Sequence, residues 1–208
     1  MIVVHHLNNS RSQRILWLFE EMGLEYEIVK HQRDPETRLA PPALKAIHPL
    51  GKSPVVVEDG KAIAESGAII EYFAERHGGG RISVPEGNAA RADYLFWLHY
   101  AEGSAMLPFL LALYVGRLGE AGAPLHPRIF GEIANHLSFI DGALGKRDFL
   151  VGDRFTAADV QNTFVIEAAH VGGHLGKHAN LTRYLAAMHA RPAYQRALER
   201  GGPYALGR

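Results

Sequence analysis

The first eighty residues alternate between short apolar runs and segments whose apolar positions recur at helical spacing. Residues 25–30 alternate polar and apolar side chains with the period of two that a half-buried strand requires. Ile15, Leu18 and Met22 instead share one face of a helix, and the glycine that follows them predicts its end. The predicted elements are a strand at residues 2–6, a helix at 11–23, a strand at 25–30, a short helix at 43–47, strands at 54–57 and 61–64, and a helix capped by Ser66.

A hairpin and the helix behind it make residues 48–73 the most distinctive stretch. Asp59-Gly60 stands between two apolar runs and favours a type I′ turn, because both central residues of that turn need a positive φ. Pro54 begins the first run, where its missing N–H leaves the preceding backbone free for another partner and its peptide bond is a candidate for cis geometry. Glu65-Ser66 lies at a helix start, where free N–H groups attract an anion. These features suit a small zwitterionic peptide as ligand.

The order β-α-β-α-β-β-α matches a thioredoxin-like fold, in which the first crossover implies parallel pairing. Beyond the glycines at 78–80 the pattern is helical throughout. Its predicted features are a segment from residue 88 to about 118 with a kink at Pro108, a helix start at His126-Pro127, a capping box from Thr156 to Asp159, and short helices at 181–189 and 192–200. We therefore expect an α/β thioredoxin-like domain at 1–80, a linker at 81–88 and an all-α domain at 89–208.

Composition narrows the function classes. Lys+Arg and Asp+Glu number 22 each, so the formal net charge is zero and a nucleic-acid partner is not expected. The absence of cysteine excludes a disulfide, a thiolate metal site and a cysteine nucleophile. The start MIVVHHLNNS lacks the pattern of a signal peptide, and no run approaches the roughly 18 apolar residues of a membrane span. We expect a cytoplasmic protein that does not engage a membrane.

Several separate segments resemble one family. Residues 48–73 resemble the glutathione-binding half of glutathione transferases, and HHLNNSRSQRILWLFEEMGLEYEIV resembles the start of its bacterial and fungal, theta-like serine-type branch. FLVGDRFTAADV resembles the capping segment of the family's helical domain, and RPAYQRALERGGPY its C-terminal helix. The resemblance implies a homodimeric detoxification enzyme that conjugates glutathione to a small hydrophobic electrophile.

The resemblance also implies which residues hold glutathione. Ser53, next to a cis Pro54, would pair its backbone with the cysteinyl part, and Glu65-Ser66 would hold the γ-glutamyl part. Lys52 resembles the position that meets the glycyl carboxylate, although a lone loop lysine is also commonly just solvated. Glu102 would reach the γ-glutamyl amine across the dimer interface, or else lie on a solvated helix face.

Activation of the thiol needs a donor to sulfur, because a free thiol with a pKa near 8.5 is mostly protonated at neutral pH. In the family this donor lies at the end of the first strand or the start of the first helix. Ser10 falls at the serine position, and Asn9 is its rival because some bacterial members use an amide. Alternatively, Ser10 or Ser12 only caps the helix.

An electrophile pocket needs an apolar wall, although an aromatic stripe at helical spacing is also typical of a core. The candidates are Tyr94, Trp97, Leu98, Met106, Phe109 and Tyr204. The histidines do not indicate a metal: His170, His174 and His178 recur every fourth residue, but glycines interrupt that segment and no carboxylate accompanies them. We expect no metal.

Two other functions fit the same residues. A glutathione-dependent reductase of disulfides or peroxides needs no protein cysteine if two glutathiones react in the site. A non-enzymatic binding or scaffold protein is the other, since a fold does not fix a function. The loop at residues 8–10 discriminates, because a scaffold needs no donor to sulfur.

Overall fold

The structure is a computed structural model that describes residues 1–207, and the chain divides into two compact units. One unit joins residues 1–86 with the chain from Met188 onward, and the other spans Gly87–Ala187. The first seven elements of the first unit are β1 (Ile2–Leu7), α1 (Ser12–Met22), β2 (Glu27–His31), α2 (Ala43–Ile47), β3 (Val55–Glu58), β4 (Lys61–Ala64) and α3 (Ser66–His77).

The four strands form one mixed sheet in the order β2-β1-β3-β4. β1 and β2 pair in parallel across α1, as the crossover predicts, whereas β3 pairs antiparallel with both β1 and β4. α1 packs against β1 and α3, and the Phe19 and Phe73 rings meet with centroids 4.7 Å apart. The predicted thioredoxin-like fold class is confirmed.

The hairpin forms as predicted, while the start of α3 differs. Asp59 and Gly60 have φ values of 49° and 83°, the two positive angles that a type I′ turn requires. Ser66 was expected to cap α3 from outside, but it is the first residue of the helix, and Glu65 occupies the N-cap position without a side-chain cap hydrogen bond. The N–H groups of the first turn are therefore not capped by Glu65.

The second unit is helical, as predicted. Its elements are α4 (Arg91–Tyr100), a π-helical turn (Ala101–Ala105), α5 (Leu107–Val115), a 3-10 segment (Gly116–Leu125), α6 (His126–Leu144), α7 (Ala157–Val171) and α8 (Ala179–His189), the last of which ends in the first unit. The capping box at the start of α7 is confirmed: Asp159 Oδ2 accepts the Thr156 N–H at 2.8 Å.

The long segment from residue 88 to 118 is interrupted earlier than Pro108. In the π-helical turn the Met106 N–H donates to the Ala101 carbonyl five residues back, and Asn162 Nδ2 donates to the Trp97 carbonyl at 2.7 Å. Pro108 lies in the first turn of α5, where its missing N–H costs no intrahelical bond. The predicted kink at Pro108 is therefore wrong in position.

The last helix, α9 (Pro192–Gly201), packs on α1 within the first unit. Trp17 and Tyr194 meet edge to face with centroids 5.2 Å apart. The limits 1–80, 81–88 and 89–208 stay a prediction of domain organisation. Across residues 1–207, no helix combines the length and the apolar character that crossing a bilayer requires.

Candidate active site

The strand register brings four connecting segments to one edge of the sheet. In the register, His5 of β1 lies opposite Val55 of β3, and Val55 lies opposite Ala64 of β4. β1 and β2 run in parallel, so both end at this edge, where β3 begins and β4 ends. We call it the loop edge, and it consists of residues 8–11, 31–33, 51–54 and 65–66. All residues of the first unit that the sequence predicted to contact glutathione lie in these segments.

Ser10, predicted as a donor to sulfur, is buried in a hydrogen-bonded network. Its Oγ lies 2.8 Å from Ser12 Oγ and accepts the Ser12 N–H at 3.2 Å. Ser12 Oγ lies 2.8 Å from His6 Nδ1 and also accepts the Leu7 N–H. A chain of three side chains thus runs from the loop edge into the space beneath α1.

His6 is the titratable group at the inner end of this chain. Burial, reinforced by the charge of Lys30, lowers the pKa of His6 to about 4, so the ring is neutral at neutral pH. The Ser12 hydroxyl can donate to His6 Nδ1 or to the Leu7 carbonyl at 3.2 Å, and either hydroxyl can be the donor between Ser10 and Ser12. Ser10 Oγ thus lies buried within this network.

Asn9 has a different environment. Its φ is 50°, in the left-handed region that asparagine tolerates better than most residues. Its Oδ1 accepts the backbone N–H of Ala205 at 2.7 Å. Within residues 1–207 we find no acceptor for Asn9 Nδ2, so both of its N–H groups are available to a ligand.

Arg33 is a residue of this site that the sequence did not indicate. Its Nε donates to the Asn8 carbonyl and its Nη2 to the Asn9 carbonyl, both at 3.2 Å. Nη1 donates to the Arg38 carbonyl at 3.0 Å, and the Arg33 N–H donates to Asn8 Oδ1 at 2.9 Å. The acceptors of its guanidinium are backbone carbonyls, and because every residue has one, the sequence gives no sign of these contacts. Only the charge of an arginine in a polar loop could have drawn attention to it.

The Ser53–Pro54 peptide bond is cis, as predicted. Ser53 Oγ donates to the His5 carbonyl at 3.1 Å, which ties this loop to β1. β3 begins one residue after Pro54, so the strand's first ladder position avoids the residue without an N–H. Lys52 is exposed beside it.

Glu65 has a backbone conformation that is rare for its residue type, with φ 69° and ψ 119°. Such strain concentrates at functional sites. Its side chain is exposed, while Ser66 is buried at the first position of α3. A carboxylate thus stands beside the positive end of a twelve-residue helix.

His5 of β1 and His31 of β2 form a neighbouring pair. His5 and His6 point to opposite faces as expected, and His5 Nδ1 lies 3.1 Å from His31 Nε2. Burial lowers the pKa of both His5 and His31. Among the described residues no three His, Cys, Asp or Glu side chains are grouped closely enough to hold a metal ion.

A cavity of about 110 Å³ opens beside the loop edge. It is lined by His6, Asn8, Asn9, Lys30, His31, Gln32, Gly201 and Pro203. Asn9 therefore borders open space, whereas Ser10 is not among the lining residues.

The remaining candidates are distributed over both units. Glu102 is half-buried in the π-helical turn of the second unit. The apolar candidates are all buried, five of them in the second unit and Tyr204 in the first: Tyr94, Trp97, Leu98, Met106, Phe109 and Tyr204.

Comparisons with known proteins agree on one family. Residues 10–76 match the family model described as glutathione S-transferase, N-terminal domain, and residues 99–192 match that of the C-terminal domain. The chain is 37% identical to glutathione S-transferase 3 of Schizosaccharomyces pombe over 96% of this chain and 88% of that protein.

Solved structures agree in fold. A glutathione S-transferase from Actinobacillus pleuropneumoniae is 32% identical, with a TM-score of 0.91 over 100% of this chain and 96% of that one. A glutathione transferase family member from Pseudomonas fluorescens, solved with two glutathione molecules bound, is 29% identical, with a TM-score of 0.78 over 95% and 92% of the two chains.

Proposed function

Since the chain belongs to the glutathione transferase family, we propose that it binds glutathione along the loop edge, stabilises the thiolate with Asn9, and conjugates it to a small hydrophobic electrophile. The observation that carries this proposal is the register that gathers Asn9, Ser53-Pro54 and Glu65-Ser66 at one edge. The ends of β4 and β1 are two strand spacings apart, about 10 Å. Three extended residues reach about the same distance.

Glutathione then lies across the edge from α3 to the β1–α1 loop. Its γ-glutamyl carboxylate accepts from the first-turn N–H groups of α3, and its amine pairs with Glu65. The backbone of Ser53 pairs with the cysteinyl residue, and Lys52 meets the glycyl carboxylate. The strained backbone of Glu65 and the absence of a side-chain cap support this orientation.

Asn9 is the better supported donor to sulfur. Ser10 Oγ is buried among its hydrogen-bond partners, whereas Asn9 borders the cavity and its Nδ2 has two N–H groups without an acceptor in residues 1–207. Lowering the thiol pKa by two units requires about 2.7 kcal/mol of preference for the anion, which one amide donor and nearby backbone dipoles can supply in large part. In this proposal Ser10 stabilises the loop through its hydrogen bonds with Ser12.

The apolar wall for the electrophile in this proposal consists of five side chains of the helical unit and one of the first unit. They are Tyr94, Trp97, Leu98, Met106 and Phe109, and Tyr204. We also propose that the enzyme is a cytoplasmic homodimer that serves detoxification, in which Glu102 reaches the γ-glutamyl amine of the partner's site. In conjugation the thiolate attacks an electrophilic carbon and a C–S bond forms. With an aryl halide the carbon–halogen bond breaks and halide leaves to solvent; with an epoxide the C–O bond breaks and the alkoxide takes a proton from solvent. Thiol activation and proximity supply the rate.

A second candidate function is reduction of disulfides. The Pseudomonas fluorescens relative binds two glutathiones, and a site of that kind can work without a protein cysteine. One thiolate attacks the glutathione sulfur of a mixed disulfide; glutathione disulfide forms and the substrate thiol leaves with a proton from solvent. A glutathione-dependent panel of aryl halides, epoxides and mixed disulfides separates the two activities, and turnover of the disulfides alone would reject conjugation.

The donor assignment is tested by the pH dependence of thiolate absorbance in the glutathione complex. Asn9→Ala is expected to raise the pKa of the bound thiol by about one unit and to lower turnover at neutral pH about threefold, with little change in glutathione affinity. Ser10→Ala is the matched comparison. A pKa shift in the Ser10 variant alone would transfer the role to the hydroxyl.

A further inference from the structure

The amide of Asn9 has two orientations of nearly equal shape, and only one of them is useful. A half-turn about the Cβ–Cγ bond exchanges Oδ1 and Nδ2. Facing the ligand, Nδ2 would donate to a thiolate, whereas Oδ1 would repel it. A donor to sulfur at this position therefore needs something that selects the orientation.

The backbone N–H of Ala205 makes this selection. It lies 2.7 Å from Asn9 Oδ1, and an N–H can only be satisfied by the oxygen of the amide. The reversed amide would leave two donors facing each other. Ala205 is 196 residues from Asn9 in the chain, yet both belong to the first unit.

The backbone of Asn9 is held from the other side by Arg33. The guanidinium bridges the Asn8 and Asn9 carbonyls and the carbonyl of Arg38, so its planar fork fixes the loop in more than one direction. A lysine at this position would keep the charge but would lack the rigid planar arrangement of donors. Arg33 thereby fixes the position of the Asn9 backbone, and the Ala205 N–H fixes the orientation of the Asn9 amide.

We propose that Arg33 and the Ala205 N–H are positioning groups for thiol activation, which orient Asn9 so that Nδ2 faces the glutathione sulfur. The inference rests on the proposed role of Asn9. It gives the segment after α9, which contains Ala205, a positioning role in thiol activation.

The test removes the Ala205 N–H. Ala205→Pro is expected to raise the thiol pKa of bound glutathione by about half a unit to one unit and to lower kcat at neutral pH about 1.5- to threefold, with KM for glutathione unchanged. Ala205→Gly keeps the N–H and is expected to keep the thiol pKa. In an Asn9→Ala background, Ala205→Pro should produce no further shift, because the group on which it acts is gone.

Arg33→Lys provides a second route that leaves the C-terminal segment untouched. It is expected to raise the bound thiol pKa as well, whereas Arg117→Lys, at an exposed arginine of the second unit, serves as the control for the substitution itself. Circular dichroism melts establish that each variant is folded at the assay temperature.

The outcomes separate the inference from the proposal beneath it. If Asn9→Ala shifts the thiol pKa while Ala205→Pro and Arg33→Lys do not, Asn9 is the donor but is not positioned by these groups, and the inference is wrong. If Asn9→Ala has no effect, the donor assignment fails and the inference fails with it. A shift from Ala205→Pro that persists in the Asn9→Ala background also overturns it.

Discussion

His6 is a titratable side chain held neutral in the interior, and its position has a consequence for stability. Its pKa of about 4 in the folded protein lies below the usual value of about 6.5. The unfolded chain therefore takes up a proton first as the pH falls. The stabilisation is complete above about pH 6.5 and is lost toward pH 4, by up to about 3 kcal/mol.

The pH dependence of urea unfolding tests this expectation. His6→Asn keeps an acceptor for the Ser12 hydroxyl but cannot titrate, so the fall in unfolding free energy between pH 6.5 and 4 should become shallower. His5 and His31, whose pKa values burial also lowers, contribute the slope that remains. His170→Asn, at an exposed histidine, is the control. Equal slopes in the His6 variant and the wild type would contradict a buried neutral His6.

Glu65 offers a prediction on binding. Glu65→Ala is expected to weaken glutathione binding by about 2 kcal/mol, because a charged hydrogen bond to the γ-glutamyl amine is lost. Isothermal calorimetry measures the affinity directly. Glu71→Ala, a glutamate further along the same helix, is the comparison, and an unchanged Kd in the Glu65 variant would remove this residue from the site.

At the scale of single residues, the sequence predicted those features that depend on the residue itself and its immediate neighbours. The Asp59-Gly60 turn and the cis bond before Pro54 follow from properties of those residues and of the resemblance. Arg33 and Ala205 could not be predicted, since each acts through backbone groups distant in the chain. Ser66 was misjudged by one position because its neighbour Glu65 adopts a φ that propensity does not anticipate.

At the scale of elements, α1 and α9 are joined by two clusters of opposite charge. Glu21 accepts from Arg191 at 2.5 and 2.9 Å and from Trp17 Nε1 at 2.8 Å. Glu20 accepts from Arg196 and Arg200. Burial alone would raise the pKa of Glu20, but the hydrogen bonds from the two arginines outweigh it and hold that pKa below its ordinary value.

Glu21→Gln is expected to lower the free energy of unfolding by about 1–2 kcal/mol. The amide keeps the shape and an acceptor for Trp17, but the charge that holds Arg191 in its partly buried position is removed. Chemical denaturation measures the change, and Glu25→Gln, at an exposed glutamate, controls for the substitution. A loss no larger than that of the control would show that the pair contributes only at the level of a surface ion pair.

The limits of the elements were predicted well where the apolar periodicity ends at a glycine, a proline or another turn-forming residue. α2 and β4 have the predicted limits, and Gly23 ends α1 with a φ of 67°. The segment from 88 to 118 was less predictable, because its π-helical turn depends on a carbonyl that Asn162 binds from another helix. The apolar periodicity of one segment carries no information about a hydrogen bond from a side chain of another helix.

At the scale of the whole molecule, the proposed homodimer is the main open expectation. Large apolar side chains are exposed on the second unit, among them Leu107, Leu113 and Leu118, and a dimer interface there would bury some of them. Sedimentation velocity at micromolar concentration should give a species of about twice the chain mass of 22.9 kDa. A single species at the mass of one chain would reject the dimer and the role of Glu102 in a partner's site.

The packing of α9 on α1 has a consequence for synthesis on the ribosome. α1 emerges early, but the helix that covers Trp17 is made only after the whole of Gly87–Ala187. Roughly 170 residues lie between the end of α1 and the start of α9, so at about 5–20 residues per second the delay is about 8–34 s. During this interval the nascent sheet presents an uncovered apolar helix face to the cell. Chaperone demand and the yield of a recombinant product should therefore depend on how quickly the ribosome translates the second unit.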